Sequence, residues 1–242
     1  MSEKDTLFSD GAGWAGRFVF DEKVVRVFPD MIGRSVPGYD LVVPMTGMFA
    51  RHYAQPGSQI YDLGCSLGAC TLAMRSAVNV RPVEIVAVDS SPAMIEACSN
   101  HIAQDPGDIP VEVVKSDIRD IAIRNASVVV MNYTLQFIDP ADRDELLRHV
   151  FAGLLDGGVL ILSEKIRFPV AEEQASQTDW HESFKRAKGY SELEIAGKRA
   201  ALENVLQAET ERAHRERLRA AGFRRVDRWF QCFGFCSYLA CK

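Results

Sequence analysis

Five short runs of branched apolar residues, each closed by a polar side chain, constrain the fold of this chain more than any other feature: "SQIYDLG", "EIVAVDSS", "VEVVKSD", "ASVVVMNYT" and "GVLILSEK". Near-continuous apolar character, rather than strict alternation, marks strands buried on both faces, as in a parallel sheet. Between the runs lie stretches with helical spacing. These are "GACTLAMRSAV", "SPAMIEACSNHIAQ" with Ser90 or Ser91 as cap and Pro92 in the first turn, and "PADRDELLRHVFAGLL" closed by Gly157 and Gly158. Strand alternating with helix predicts an α/β fold with a mostly parallel sheet.

After residue 164 the rhythm breaks. A polar helical stretch, "FKRAKGYSELEIAGKRAALENVL", contains no strand, and a helix then resumes at "ETERAHRERLRAAGF". The chain finishes with "RRVDRWFQCF" and "GFCSYLACK", which read as an antiparallel hairpin added to the sheet edge. With 242 residues, 47% of them hydrophobic, the chain can bury one sizeable core. The expected division is an N-terminal helical cap at 1–54, an α/β core at 55–164, an inserted helical lid or dimerisation segment at 165–206, and a closing helix and hairpin at 207–242.

Acidic side chains number 33 against 28 basic ones, a balance that argues against a protein whose main business is gripping phosphate backbones. The arginine-rich "ERAHRERLRAAGFRR" is interrupted by glutamates and reads as a solvated helix face. The N-terminal residues show no basic stretch leading into an apolar one, and no apolar run approaches roughly 18 residues. A cytoplasmic protein away from membranes is expected. Cys65, Cys70, Cys98, Cys232, Cys236 and Cys241 form no C-x-x-C pair, and His52, His101, His149, His181 and His214 show no ligand spacing, so reduced thiols and no metal are expected.

In an open α/β sheet a ligand sits beyond the carboxyl ends of the strands. Within "YDLGCSLG", Gly64 permits a sharp turn and Gly68 leaves room at a helix start, where unpaired N–H groups favour negative charge. Ser66 stands where many such loops carry a middle glycine. Asp89 closes the second strand, 27 residues after Asp62, where a carboxylate accepts both ribose hydroxyls of a nucleotide cofactor. NAD and S-adenosylmethionine both fit that much. Asp117 after the third strand, placed for an adenine amino group, and Asn132 after the fourth favour S-adenosylmethionine.

"YDLGCSLG", "VAVDSSPAMIE", "SDIRD" and "LLDGGVLILSE" resemble the successive motifs of class I S-adenosylmethionine-dependent methyltransferases over residues 55 to 165. That resemblance implies a Rossmann-like seven-stranded sheet with an antiparallel C-terminal strand. "DTLFSD", "FDEKVVRVFPDMIGRSVPGY", "NYTLQFI", "SFKRAKGYSELEIAGKRAALENV" and "WFQCFGF" extend it along nearly the whole chain, to bacterial carboxy-S-adenosyl-L-methionine synthases. The resemblance implies a transferase combining S-adenosylmethionine with prephenate, releasing phenylpyruvate and giving a carboxymethyl sulfonium. This product would pass to a tRNA carboxymethyltransferase making 5-oxyacetyl uridine at the wobble position.

It also implies cofactor contacts from Tyr39, Gly64, Cys65, Ser66, Asp89, Ser90, Asp117, Ile118, Asn132 and Arg199, with Arg199 holding the new carboxylate in its own or a neighbouring subunit's site. Lys165, Arg34, His181 and Arg186 are unranked candidates for prephenate. A homodimer is expected from the apolar positions Phe168, Trp180, Phe184, Leu193, Ile195, Leu202, Val205 and Leu206 of the inserted segment. Two rivals remain: a methyltransferase acting on tRNA or a small molecule, and a non-catalytic binding module.

Overall fold

In the computed structural model, residues 3–9, 18–203 and 205–242 are described; residues 1–2, 10–17 and 204, which belong to the expected cap and lid segments, lie outside them. The apolar runs form β1 (Ser58–Leu63), β2 (Val83–Asp89), β3 (Val111–Lys115), β4 (Ala126–Asn132) and β5 (Leu154–Lys165), followed by β6 (Arg225–Cys232) and β7 (Phe235–Cys241). The seven-stranded sheet has the order β3-β2-β1-β4-β5-β7-β6. The first five strands pair in parallel, and β7 runs antiparallel between β5 and β6. The last strand therefore lies inside the sheet and β6 takes the edge. Composition accounts for this: β7 is apolar and buried almost throughout, whereas β6 carries Arg225, Asp227, Arg228 and Gln231 to the exposed rim.

The period-2 alternation of side chains divides the sheet's two faces. Ile60, Ile85, Val128, Val130 and Ile161 pack beneath Ala50 and Met74, from α2 (Tyr39–Tyr53) and α3 (Ala69–Ala77). Tyr61, Val86, Val129, Met131 and Leu160 face the other way, onto Leu147 and Val150 of α5 (Pro140–Gly153) and Leu218 of α8 (Glu211–Ala221). A separate cluster joins Phe8 and Phe18 to Val24, Val27 and Met31 of α1 (Glu22–Ser35), Met94 of α4 (Pro92–Gln104) and Ala201 of α7 (Glu192–Leu202). Burial of these apolar faces is the main force holding helices to sheet.

Two expectations about helix ends need correction. The fifth helix stops at Gly153, not at the Gly157–Gly158 pair, because Leu154 already pairs with Ala126 as the first residue of β5. A side chain at Gly153 would meet the Ile123 carbonyl oxygen at 2.4 Å, so only glycine lets the chain pass there. The long polar stretch is two helices, α6 (Ala171–Ala187) and α7, broken at Gly189 with φ +88°. Ser191 restarts the chain with a capping box, its hydroxyl accepting from the Glu194 N–H while the Glu194 carboxylate accepts from the Ser191 N–H.

The break also buries much of the apolar surface on which a dimer was expected. Ile195 is buried, Phe168 packs on the main core, and Leu202 and Val205 pack on the N-terminal cluster. Leu206 lines the central cavity and Phe184 meets Phe233, which leaves Trp180 and Leu193 as the large exposed side chains among the eight.

Candidate active site

The strand order reverses between β1 and β4, and there the carboxyl ends of the parallel strands open into a cavity of about 1140 Å³. Ligand pockets typically span roughly 300–1,000 Å³, so this one has room for more than one molecule. The strand ends supply a row of polar groups across its floor: Asp117 beyond β3, Asp89 on β2, Gly64 and Ser66 after β1, Asn132 on β4 and Lys165 on β5.

The glycine turn is fixed by backbone geometry. Gly64 has φ +85°, and a Cβ there would fall 2.3 Å from the Thr134 hydroxyl; Gly68 also has φ +85° and faces the Cys98 sulfur. Ser66 takes φ 50°, so the left-handed conformation that a middle glycine would adopt freely is imposed on a serine, at a modest cost. The turn in turn positions Asp89. One of its oxygens accepts from the Ser66 N–H and the other from the Ser91 N–H, both at 2.9 Å. Burial pushes the Asp89 carboxyl up from its ordinary range, and the surrounding N–H donors of Ser91, Ser66 and Ser90 pull it back. Asp62, beneath the turn, accepts from the Thr71 hydroxyl at 2.6 Å and is pushed up to about 6 by full burial.

One buried polar atom beside this turn, Asn132 Oδ1, lacks a partner among the described residues. Asn132 lines the cavity, and Tyr133 after it sits at φ 60°. Buried orphan acceptors and donors are costly, so such groups mark places where a ligand completes the hydrogen bonding. The residues present thus fit S-adenosylmethionine. Asp89 can take the ribose diol, Asn132 can meet a polar amino-acid end, and the glycine turn admits close approach. Asp117 is gripped by Arg119, whose Nε and Nη2 donate at 3.0 and 2.6 Å and hold the carboxyl below its usual range; a carboxylate with about four acceptor positions can still accept from an adenine amino group. Tyr39, Cys65, Ser90 and Ile118 all line the same cavity.

Arg199 stands apart. It does not line the cavity; its side chain is 64% exposed and donates to Glu182 at 2.7 Å. Of the four candidates for a second substrate, Lys165 and His181 line the cavity, and Arg34 and Arg186 do not. Arg34 is tied to Asp30 and to the Asp5 carbonyl, and Arg186 is an exposed partner of Glu192. Sequence reading missed Lys185 and Lys198, which line the cavity with them. The signal was available: Lys185 follows His181 by one helical turn, on the same face of α6.

His181 donates from Nε2 to the Ser35 carbonyl oxygen at 2.8 Å and is held neutral, its pKa pushed down to about 3 first by burial and then by Lys185 and Lys165. Three of the four α8 arginines expected on a solvated face pair with acids. Arg212 pairs with Glu216, Arg215 with Glu211, and Arg217 with Asp144 and Glu209. No group of three His, Cys, Asp or Glu side chains among the described residues is arranged to hold a metal, and no described helix is long and apolar enough to cross a membrane.

Comparison with known proteins places this geometry. Residues 60–158 match the model of a methyltransferase domain. The chain is 52% identical over 240 residues to a carboxy-S-adenosyl-L-methionine synthase of Yersinia enterocolitica, covering 99% of this chain and 90% of that one. It is 52% identical over 242 residues to the Shigella sonnei protein of the same name, covering 100% and 98%. Among solved structures, an O-methyltransferase family 2 protein from Planctomyces limnophilus superposes with a TM-score of 0.64 at 16% identity, over 91% of this chain and 61% of that one, a likeness of fold alone.

Proposed function

This chain belongs to the carboxy-S-adenosyl-L-methionine synthase family, and from that premise we propose that it converts S-adenosylmethionine and prephenate to carboxy-S-adenosyl-L-methionine and phenylpyruvate. The observation that supports this reading most is a single cavity whose floor runs from the acid and amide groups of β2, β1 and β4 to the lysines beside β5. An ordinary methyl acceptor gives no reason for ammonium groups beside the sulfonium end. A dicarboxylate does.

The chemistry asks the protein for confinement more than for a base. Prephenate, on aromatising, loses its ring carboxylate as carbon dioxide and its ring hydroxyl as hydroxide. Hydroxide takes a proton from the sulfonium methyl group to give water, and the resulting ylide carbon bonds to the carbon dioxide. No protein side chain need change its protonation state, and the neutral His181, bonded to Ser35, agrees with that economy. Holding the fragments together is worth several kcal/mol of the barrier.

We further propose that Asp89, Asn132, Asp117, Tyr39, Cys65, Ser90, Ile118 and the Gly64–Ser66 turn hold S-adenosylmethionine, and that Arg199 binds the new carboxylate from a second copy of the chain. Its exposure and its place outside its own cavity suit a guanidinium presented across a homodimer. Arg199→Ala should then bind S-adenosylmethionine normally but its carboxylated form more weakly, by about 2–4 kcal/mol. Calorimetry with both compounds checks this, beside light scattering for the dimer; equal affinities for wild type and variant return Arg199 to the surface. The product would pass to a tRNA carboxymethyltransferase in the cytoplasm. Incubation with S-adenosylmethionine and prephenate, then mass spectrometry of the nucleoside, tests the whole reading: a carboxylated product supports it, labelled methyl on tRNA favours a methyltransferase, and no product leaves a binding module.

A further inference from the structure

Three lysines line the cavity near β5, and their surroundings differ. Lys198, on α7, is buried and compensated: its ammonium pairs with Asp5 and lies against the Tyr190 hydroxyl. The ammonium groups of Lys165, at the end of β5, and Lys185, in the last turn of α6, make no hydrogen bond or ion pair among the described residues. The Lys165 nitrogen lies over the Phe235 ring, 5.9 Å from its centroid. The acid that acts on both is Glu182, and its two oxygens are taken by Arg199 at 2.7 Å and Arg186 at 3.5 Å.

Two ammonium groups in a cavity with aromatic walls, with no anion of their own, are unfavourable until an anion arrives. One carboxylate would neutralise one of them. A dicarboxylate would neutralise both. Resting on the reading above, we propose that Lys165 and Lys185 form the dicarboxylate subsite of this enzyme, holding the two carboxylates of prephenate and selecting it over monocarboxylates. Lysine suits the task because its compact ammonium can follow a carboxylate that is about to leave, whereas a bidentate arginine would grip it.

The charges around Lys185 make the proposal visible in the pH dependence of binding. Burial, then Lys165 on β5, then Lys198 on α7 lower it, Glu182 on its own helix opposes them, and Arg199 adds a small further push, so that it titrates at about 8; the neutral His181 contributes no charge. Below pH 8 the ammonium is present when prephenate arrives. Above it, binding must first take up a proton, so the dissociation constant rises with pH, up to about tenfold per unit.

Calorimetric titration of prephenate into the full chain tests the subsite, and turnover assays on the same samples test the underlying reading separately. Lys165→Met and Lys185→Met should each weaken prephenate by about tenfold or more while leaving S-adenosylmethionine within about twofold. Lys185→Arg should recover much of the loss, and Lys188→Met, an exposed neighbour, should change nothing. Wild-type protein, which needs no substitution to fold, should take up protons on binding prephenate at pH 8.5 and bind phenylpyruvate far more weakly than prephenate. Unchanged prephenate affinity in both methionine variants, or no proton uptake by the wild type, overturns the subsite even if turnover is intact. Loss of binding in the variants alongside absent wild-type turnover would uphold the subsite and sink the reaction.

Discussion

The two ends of the cavity are built on opposite principles. At the β1–β2 end the functional groups are backbone N–H groups and carboxylates already hydrogen-bonded to one another, as Asp89 is to Ser66 and Ser91. At the β5 end they are lysine side chains, two of them from helices that do not belong to the sheet pattern. The first end is preorganised by the fold and gives up little when a ligand arrives. The second holds uncompensated charge and depends on the ligand to neutralise it. On the proposed reading, the nucleotide is recognised by groups the sheet fixes, and the acid by one lysine at a strand end and one on a helix laid over it.

Substitutions can break this contrast, and the largest effect should come where a lysine has its anion. Asp5→Ala strands the Lys198 ammonium in a buried site and should cost about 3–5 kcal/mol of stability, read as a drop of roughly 10 °C or more in Tm. Lys185→Met removes a charge that has no partner, so its Tm should hold or rise. Equal destabilisation by the two would erase the distinction between structural and ligand-facing lysines.

Next in size, Asp89→Ala should weaken S-adenosylmethionine by about 2–4 kcal/mol, through the loss of charge-assisted bonds to the ribose. Its effect on prephenate binding should be small. Calorimetry with each compound alone checks both halves, and a parallel loss of the two affinities would show that the ends are not independent.

The smallest effect concerns Glu164, which alternates with Lys165 along β5 and points away from the cavity into the core. One oxygen accepts from the Leu135 N–H at 3.0 Å, the other has no partner, and full burial pushes the carboxyl up to about 8. A carboxyl raised in the folded state favours folding while protonated, so its contribution is complete below its unfolded value, near 4.3, and is lost as pH rises through 8. Glu164→Gln should therefore gain about 2–3 kcal/mol over wild type as pH goes from 6 to 9. Thermal unfolding across that range is the check, with a pH-independent difference counting against it.

How far each end was legible in the sequence follows from the same contrast. Strand ends recur at intervals that the chain itself announces, so Gly64, Asp89, Asp117 and Asn132 could be picked out by position, and the structure brings all four to one cavity. Lys185 sits in "FKRAKGY", where lysines and arginines on a polar helix read as solvent-facing. Only the tertiary placement of α6 over Ser35 and Phe235, through His181, turns that face inward. The strand order at the C-terminus was half visible. Alternation gave the hairpin, but which strand lies inside depends on the burial of β7, a property of the assembled sheet.

The break at Gly189 and the capping box at Ser191 make α6 and α7 a discrete helical pair, entered from the end of β5 and left ahead of α8. Such a pair is a unit of exchange, but not a free one: Lys198 ties it to Asp5, and Ala201 and Leu202 pack with Leu67 and Met94 beside the glycine turn. Redirecting acceptor choice by exchanging the pair therefore requires the N-terminal segment and the packing behind the turn to change with it.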